Sequence, residues 1–343
     1  ATGSKPNMFG WKGQDLKGVG GLCSYQDLQN MEKYTQGIKR GVVVGGGLIG
    51  IEMAEMMISR GIDVTFLVRE RHFWEHILPK NESNMIMRHM KEHHLDLRLS
   101  TELDKIIGDE NGRAKAVKTS TGEIIECEWV GLTAGVSPNI KFLNDSDIEL
   151  NRGILVDASF KTNVDNVYAI GDCAEFRTHP SGRRSIEQVW YTGKLMGETL
   201  AKTLTGTPTS YSPGHWFNSA KFFDVEYQTY GIVLPKLKEH EANFYWEDEQ
   251  GKICIHMVFN KENRVFIGIN NFGIRMRHDS FNYWLNQNAT VEYVMEHLKD
   301  ANFDPEFYKQ HEDQIVAKFN QEQGTNIKVK QKSWKRLLKY IAR

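Results

Sequence analysis

Cysteine is scarce in this chain of 343 residues, and the four present, Cys23, Cys127, Cys173 and Cys254, are widely scattered. They form no C-x-x-C pair and no zinc spacing, which excludes a disulfide framework and suits a reducing compartment, so a cytoplasmic setting is expected. No apolar run reaches the length of a membrane span. Charge of either sign is not in excess: the formal net charge is −1, and nothing in the balance favours nucleic acid as a partner. The chain does not begin with Met and shows no signal peptide. Ala1-Thr2-Gly3-Ser4 reads as the interior of a fold, so further residues are expected upstream. With 40% hydrophobic and 25% charged residues, the composition is that of a globular protein with two or three domains.

The most informative stretch runs from Val42 to Ala54. A β-branched run, Val42-Val43-Val44, reads as a buried strand and breaks at once into glycines. Past Gly50 the pattern turns helical, with Ile51, Ala54, Met57 and Ile58 on one face. Gly45, Gly47 and Gly50 therefore form G-x-G-x-x-G between a strand and a helix. In that context the first glycine makes the tight turn, the second lets backbone amides approach a pyrophosphate, and the third lets helix and strand pack closely. Gly45, Gly47, Leu48, Ile49 and Gly50 are thus candidate dinucleotide-binding residues. A bare Gly-rich turn is the alternative.

The helix is expected to stop near Gly61, and Asp63–Val68 to form a second strand. Where such a strand ends, an acidic residue favours NADH and an arginine favours NADPH. Arg69 and Arg71 point to the 2′-phosphate of NADPH, while Glu70 points the other way, so NADPH or NADH stays open. A helix is expected over about Asn81–His93. His89, His93 and His94 lack a recognisable zinc pattern, so they read as a polar helix end with no metal. From Asp96 to Thr133 short alternating strands suggest a meander, and Val130–Gly135 closes the sheet. Upstream, a short helix is expected around Tyr25–Tyr34.

A second signal lies at Thr162–Glu175, where an apolar strand (Val167–Ile170) ends in Gly171-Asp172. Gly171 permits close backbone approach, and Asp172 can accept hydrogen bonds from a sugar or ribityl hydroxyl. Helix capping is the other reading of that aspartate. Ser185–Gly197 reads as a helix with small residues on one side.

Three stretches, Ala1–Ser4, Gly45–Ala54 with Glu52, and Thr162–Glu175, occur in an order and spacing that resembles the pyridine nucleotide–disulfide oxidoreductase superfamily. Gly135-x-x-Pro138-Asn139 lies between the last two. The resemblance implies an α/β fold in which a Rossmann-type NAD(P)-binding domain (38–133) is inserted in an FAD-binding domain (1–37 and 134–208). It implies FAD ribityl contact by Asp172, with Gly135 and Gly171 in the same site, and a place for Glu52 near the nicotinamide and flavin rings as the catalytic candidate. The family's first glycine fingerprint precedes the ATGS segment, where this chain begins, so only part of the FAD domain is expected. The Ser185–Gly197 stretch resembles the helix beneath the flavin in the ferredoxin- and rubredoxin-reductase-like branch. Glu187, Gln188 and Trp190 are the flavin-side candidates there, against an ordinary core role for the tryptophan.

From Tyr211 the sequence turns aromatic and alternating, and residues 209–322 are expected to form a small α+β C-terminal domain with an antiparallel sheet. Its position matches the superfamily's interface domain, which allows a homodimer. The His-Pro…Glu proton relay of disulfide reductases is not recognisable in it. The tail, 323–343, is basic, with Trp334, Leu337, Leu338 and Ile341 at helical spacing. It suits an anionic membrane surface or an acidic partner, against a packed terminal helix.

The resemblance thus implies an FAD-dependent NAD(P)H oxidoreductase that passes electrons to a redox carrier protein of ferredoxin or rubredoxin type. Reduction of a disulfide, peroxide or quinone, or other small-molecule acceptor, is the alternative within the class. A non-catalytic NAD(P)H sensor is the alternative outside it.

Overall fold

The computed structural model describes residues 1–303, 306–307 and 309–330. The chain divides into two compact units, Ala1–Trp74 with Met90–Gly214, and Glu75–His89 with His215–Arg343. No helix among the described residues is long and apolar enough to cross a membrane. The amphipathic reading of the tail falls largely on 331–343, outside the described residues.

The first unit is built on a five-stranded parallel sheet in the order Val19–Gly20, Trp129–Leu132, Arg40–Val44, Asp63–Leu67, Asp96–Arg98. Its central strand is buried from Gly41 to Val44, as a parallel strand covered on both faces must be. The helix Leu48–Ile58 lies on this sheet with Ile51, Met53, Ala54 and Met57 buried. Two strand glycines set how close it comes. A Cβ at Gly131 would stand 2.1 Å from Met53 Sδ, and one at Gly41 would stand 2.8 Å from Met57 Sδ. The helix ends at Ile58, and Gly61 turns the chain with φ +73°. The helix Tyr25–Tyr34 is held by a capping box, Ser24 with Asp27.

The expected meander is present over Leu103–Gly108, Ala114–Thr119 and Ile124–Glu126, but Asp96–Arg98 is not part of it. That segment pairs parallel with Asp63–Leu67 because its register matches Thr65–Leu67. The expected strand at Val167–Ile170 does not form. Among the described residues its only bridge is Lys161 with Tyr168, and the strand comes later, at Ala174–Phe176, pairing with Ile154–Val156. The helix expected over Ser185–Gly197 begins only at Trp190 and runs to Leu204. The Ser185 carbonyl accepts from the Phe176 amide at 2.8 Å, and Val189 is extended at φ −135°.

The second unit carries a five-stranded antiparallel sheet in the order Phe217–Phe222, Val225–Gly231, Phe266–Phe272, Cys254–Asn260, Glu241–Glu247. Alternation gives it two faces. Phe244, Trp246, Ile255, Met257 and Phe259 pack with the helices His278–Asn286, Val291–Glu296 and Glu312–Gln323 in one core. The opposite face carries Asn243, His256 and Asn270, and Glu82 from the helix Lys80–Glu92 reaches His256 and Asn270. His89, expected at a polar helix end, is buried, with Nε2 2.7 Å from Asp224. It shares a helix face with Met85 and Ile86, which is what buries it.

Candidate functional site

The strand Arg40–Val44 delivers its last residue into the glycine turn. Gly45 adopts φ +117°, and a Cβ there would stand 2.6 Å from the carbonyl oxygen of Thr133. Gly50 is as constrained: a Cβ would meet Gly45 O at 2.5 Å, Thr133 Oγ1 at 2.8 Å and Phe66 at 2.9 Å. Gly47 differs from both. It is the N-cap of the helix Leu48–Ile58, in extended backbone, and a Cβ built on it meets nothing within 4 Å. Two glycines therefore serve the packing of the protein, and the third borders open space. No side chain caps this helix and its first turn holds no acidic residue, so the amides that begin with Leu48 and Ile49 face that space. This cradle fits a diphosphate.

At the end of the strand Asp63–Leu67, Arg69 donates to Glu70 Oε1 from Nε (3.2 Å) and from its terminal nitrogen (2.8 Å). Arg69 is largely exposed, while the Glu70 side chain is mostly covered. The two residues that argue for different coenzymes are thus paired with each other. Glu52 stands on the exposed side of the glycine-loop helix. Partial desolvation, and then the charge of Glu55, hold its carboxyl above the usual range.

Ser4–Pro6 and Val136–Pro138 form an antiparallel pair. Ser4 Oγ donates to Asp172 Oδ2 at 3.0 Å and accepts from Gln188 Nε2 at 2.7 Å. Three distant segments therefore meet at one hydroxyl. Asp172 sits in the single turn Gly171–Cys173, where Gly171 has φ +73° and a Cβ would again enter open space. The helix Trp190–Leu204 rests on this turn, with Gly193 3.8 Å from Gly171 Cα by the same construction. It too has no side-chain cap and no acidic residue in its first turn. An open glycine, a carboxylate and an uncapped helix start together fit the sugar and phosphate part of FAD.

Glu187 lies in a separate buried cluster. Its carboxylate accepts from Arg183 Nη2 at 3.2 Å, and it stands 2.8 Å from Arg183 Nε, 3.6 Å from His179 and 3.4 Å from the Thr192 hydroxyl. Burial lowers the His179 pKa, against the pull of Glu187. Trp190 is 71% exposed, with Lys194 5.7 Å from its ring. Ser4 has no role that the sequence alone assigns, although its place in the ATGS segment is visible there. Gly135 adopts φ +83° beside Asn7.

The stretch Thr133–Gly135 joins the two cradles. Thr133 Oγ1 donates to Val44 O at 3.0 Å, beside the glycine turn. Asn7 donates to Ala134 O from its side chain (3.3 Å) and to Gly135 O from its backbone (3.1 Å), beside the Ser4 strand.

The chain is similar to known proteins. Residues 1–194 match the pyridine nucleotide-disulphide oxidoreductase family. The NAD(P)H coenzyme A polysulfide/persulfide reductase of Pyrococcus horikoshii is 32% identical over 246 residues, covering 70% of this chain and 54% of the relative. Rhodocoxin reductase of Rhodococcus erythropolis is 31% identical over 223 residues, covering 65% of this chain and 52% of the relative. The chain spans about half the length of these two curated relatives. A NAD-dependent persulfide reductase from A. fulgidus shares the fold, with a TM-score of 0.80 at 20% identity over 94% of this chain and 62% of that one. By its sequence, the chain belongs to the pyridine nucleotide-disulphide oxidoreductase family, whose members use FAD and NAD(P)H.

Proposed function

We propose that this protein is an NAD(P)H-dependent flavoprotein oxidoreductase whose electrons leave to a carrier protein of ferredoxin or rubredoxin type. The observation that carries this reading is the stretch Thr133–Gly135, which touches the glycine turn on one side and the Ser4 strand on the other. A three-residue stretch thus connects the two proposed cradles. FAD, when bound, supplies the chemistry of accepting a hydride and releasing electrons singly. The chain's part is binding and orientation: the amides at Leu48 and Ile49 hold the nicotinamide coenzyme's diphosphate. Asp172, fixed by Ser4, accepts from the flavin's ribityl chain. Glu52, with its raised pKa, stands near the rings.

The four cysteines of this stretch are not set up as attacking thiols. Cys127, Cys173 and Cys254 are buried. Burial and the charges of Asp27 and Asp172 push the exposed Cys23 up to about 11, which leaves little thiolate at neutral pH. The similarity to rhodocoxin reductase supports a carrier protein as acceptor.

The reading is tested by saturating the protein with FAD and adding NADPH or NADH without oxygen. The expected result is loss of the flavin absorption at about 450 nm with at least one coenzyme. No bleaching with either coenzyme, or no flavin bound, ends it. Coenzyme choice is tested separately. Arg69→Glu is expected to shift the NADPH to NADH affinity ratio by about 10- to 100-fold toward NADH, as loss of a charge-assisted phosphate contact demands. An unchanged ratio removes Arg69 from the site.

A further inference from the structure

Glu187 is a flavin-side candidate by its place in the sequence, but its side chain is only 5% exposed. A carboxylate so covered offers almost no surface to a ligand, and its buried charge has to be met by protein partners. Arg183 meets both oxygens, with Nη2 donating to Oε2 at 3.2 Å and Nε 2.8 Å from Oε1. Arg183 is itself held, since its Nη1 donates to the Gly214 carbonyl at 3.3 Å. His179 faces Oε2 from a third direction, with its ring edge-on to Phe176 at 4.9 Å between centroids. The Ser181 amide donates to His179 Nδ1 at 3.2 Å, so the ring carries its proton on Nε2, the nitrogen 3.6 Å from the carboxylate. The Thr192 hydroxyl donates to the same oxygen at 3.4 Å.

These partners lie on both sides of the residues that enter the flavin cradle. Arg183 precedes Glu187 by one helical repeat, and Thr192 belongs to the first turn of the helix Trp190–Leu204. Between them run Gln188 and Val189, the latter extended at φ −135° and ψ 136°. Gln188 Nε2 donates to Ser4 Oγ at 2.7 Å, and that hydroxyl donates to Asp172 Oδ2 at 3.0 Å. The side-chain amide keeps this bond only while the backbone that carries it stays in place. Val189, the N-cap, makes no side-chain bond that would fix the helix start. Glu187 supplies the missing restraint: it ties the first turn to the preceding segment through a side-chain hydroxyl.

We propose that Glu187 is a positioning residue of the FAD site, which holds Gln188 against Ser4 and, through Ser4, holds Asp172 where the ribityl chain needs it. The inference rests on the flavoprotein reading and changes the part of Glu187 in it from contact to support. A buried, fully partnered charge suits that task, because any shift of the segment would leave a charge or a donor unpaired in the interior.

The test is a double-mutant cycle on FAD affinity, read in the full chain by quenching of flavin fluorescence. Glu187→Gln keeps the side-chain volume and removes the charge, and Gln188→Ala removes the amide that reaches Ser4. Each is expected to raise the FAD dissociation constant about 10-fold, the worth of one well-held hydrogen bond. Because both act on the same bond, the double variant should also be weaker by about 10-fold, whereas independent effects would multiply to about 100-fold. Multiplied losses overturn the proposal. A lowered melting temperature in Glu187→Gln with unchanged FAD affinity also overturns it, since that marks a role in stability alone. If Glu187→Gln does not fold, Arg183→Gln/Glu187→Gln removes the charge and its partner together and takes its place in the cycle, with the same outcomes. Amide hydrogen exchange without FAD reads the restraint itself. The Gly193 amide, which donates to Val189 O at 3.0 Å in the first turn, should exchange about 10-fold faster in Glu187→Gln, and an unchanged rate overturns the proposal. If the unaltered protein binds no FAD, the flavoprotein reading fails, and the exchange rate still decides whether Glu187 holds this segment.

Discussion

Replacing Gly47 with Val is expected to raise the dissociation constant for NADPH and NADH by at least about 100-fold while leaving the melting temperature nearly unchanged. The two halves of that result have separate causes. Gly47 has φ −109° and ψ −179°, extended backbone that valine adopts readily, and no protein atom lies within 4 Å of the Cβ position. The folded chain therefore accommodates the side chain. The space it fills is the one the diphosphate needs, and the valine methyls would keep phosphate oxygens from the amides of Leu48 and Ile49. Losing two hydrogen bonds to a charged group costs about 3–6 kcal/mol, two to four decades in affinity. Gly50→Ala makes the opposite case. Its Cβ would stand 2.5 Å from Gly45 O and 2.8 Å from Thr133 Oγ1, so the helix must move off the strand and stability falls with affinity. Affinity by fluorescence titration and stability by thermal melting separate the two variants. Unaltered affinity in Gly47→Val would show that the loop is structural only.

That contrast also marks what the sequence can and cannot say. The strand, the glycine turn and the helix are legible because local rules act together there: β-branched residues, a fixed glycine spacing and an apolar helical face. The antiparallel sheet of the second unit is legible as a class from its aromatic, partly alternating sequence, although the alternation is lost where Cys254–Phe259 is buried throughout. The helix start near the flavin cradle is not. Small residues with helical spacing continue back to Ser185, but the carbonyl of Ser185 is taken by Phe176 and Val189 stays extended, both decided by distant partners. The strand expected at Val167–Ile170 fails likewise, because a strand needs a ladder and only Tyr168 finds a bridge. The Ser4 hydroxyl is invisible as a site residue because its importance comes from two segments far along the chain, at Asp172 and Gln188. Glu82 and His89 leave a faint signal. They share one helix face with Met85 and Ile86, and all four are buried; an ionisable residue on an apolar helical face is a pattern that residue spacing alone can reveal.

Glu82→Ala is accordingly expected to destabilise the second unit by about 3–5 kcal/mol, the cost of leaving two buried donors without their acceptor. The Glu82 side chain is fully buried. Its Oε1 stands 2.8 Å from His256 Nδ1, and its Oε2 accepts from Asn270 Nδ2 at 2.9 Å. Both partners are themselves fixed. Asn243 Nδ2 lies 2.8 Å from His256 Nε2, so with that amide donating, the imidazole carries its proton on Nδ1, the nitrogen that faces Glu82. Tyr227 OH donates to Asn270 Oδ1 at 3.4 Å, which turns the Asn270 amide nitrogen toward the carboxylate. Burial, and then the nearby Glu82 charge, raise the Tyr227 pKa well above the ordinary phenol range, so the hydroxyl remains a donor. Removing the carboxylate leaves two buried N–H groups facing the space it filled. Glu82→Gln keeps the volume and one acceptor, and its cost should be about half as large. Amide hydrogen exchange reads this directly in the strands Cys254–Asn260 and Phe266–Phe272, which carry His256 and Asn270. Protection there should fall by about two to three decades in Glu82→Ala, since each decade corresponds to about 1.4 kcal/mol. If exchange in both strands is unchanged, the carboxylate does not hold the helix to the sheet, and the network around it is a bystander to the stability of this unit.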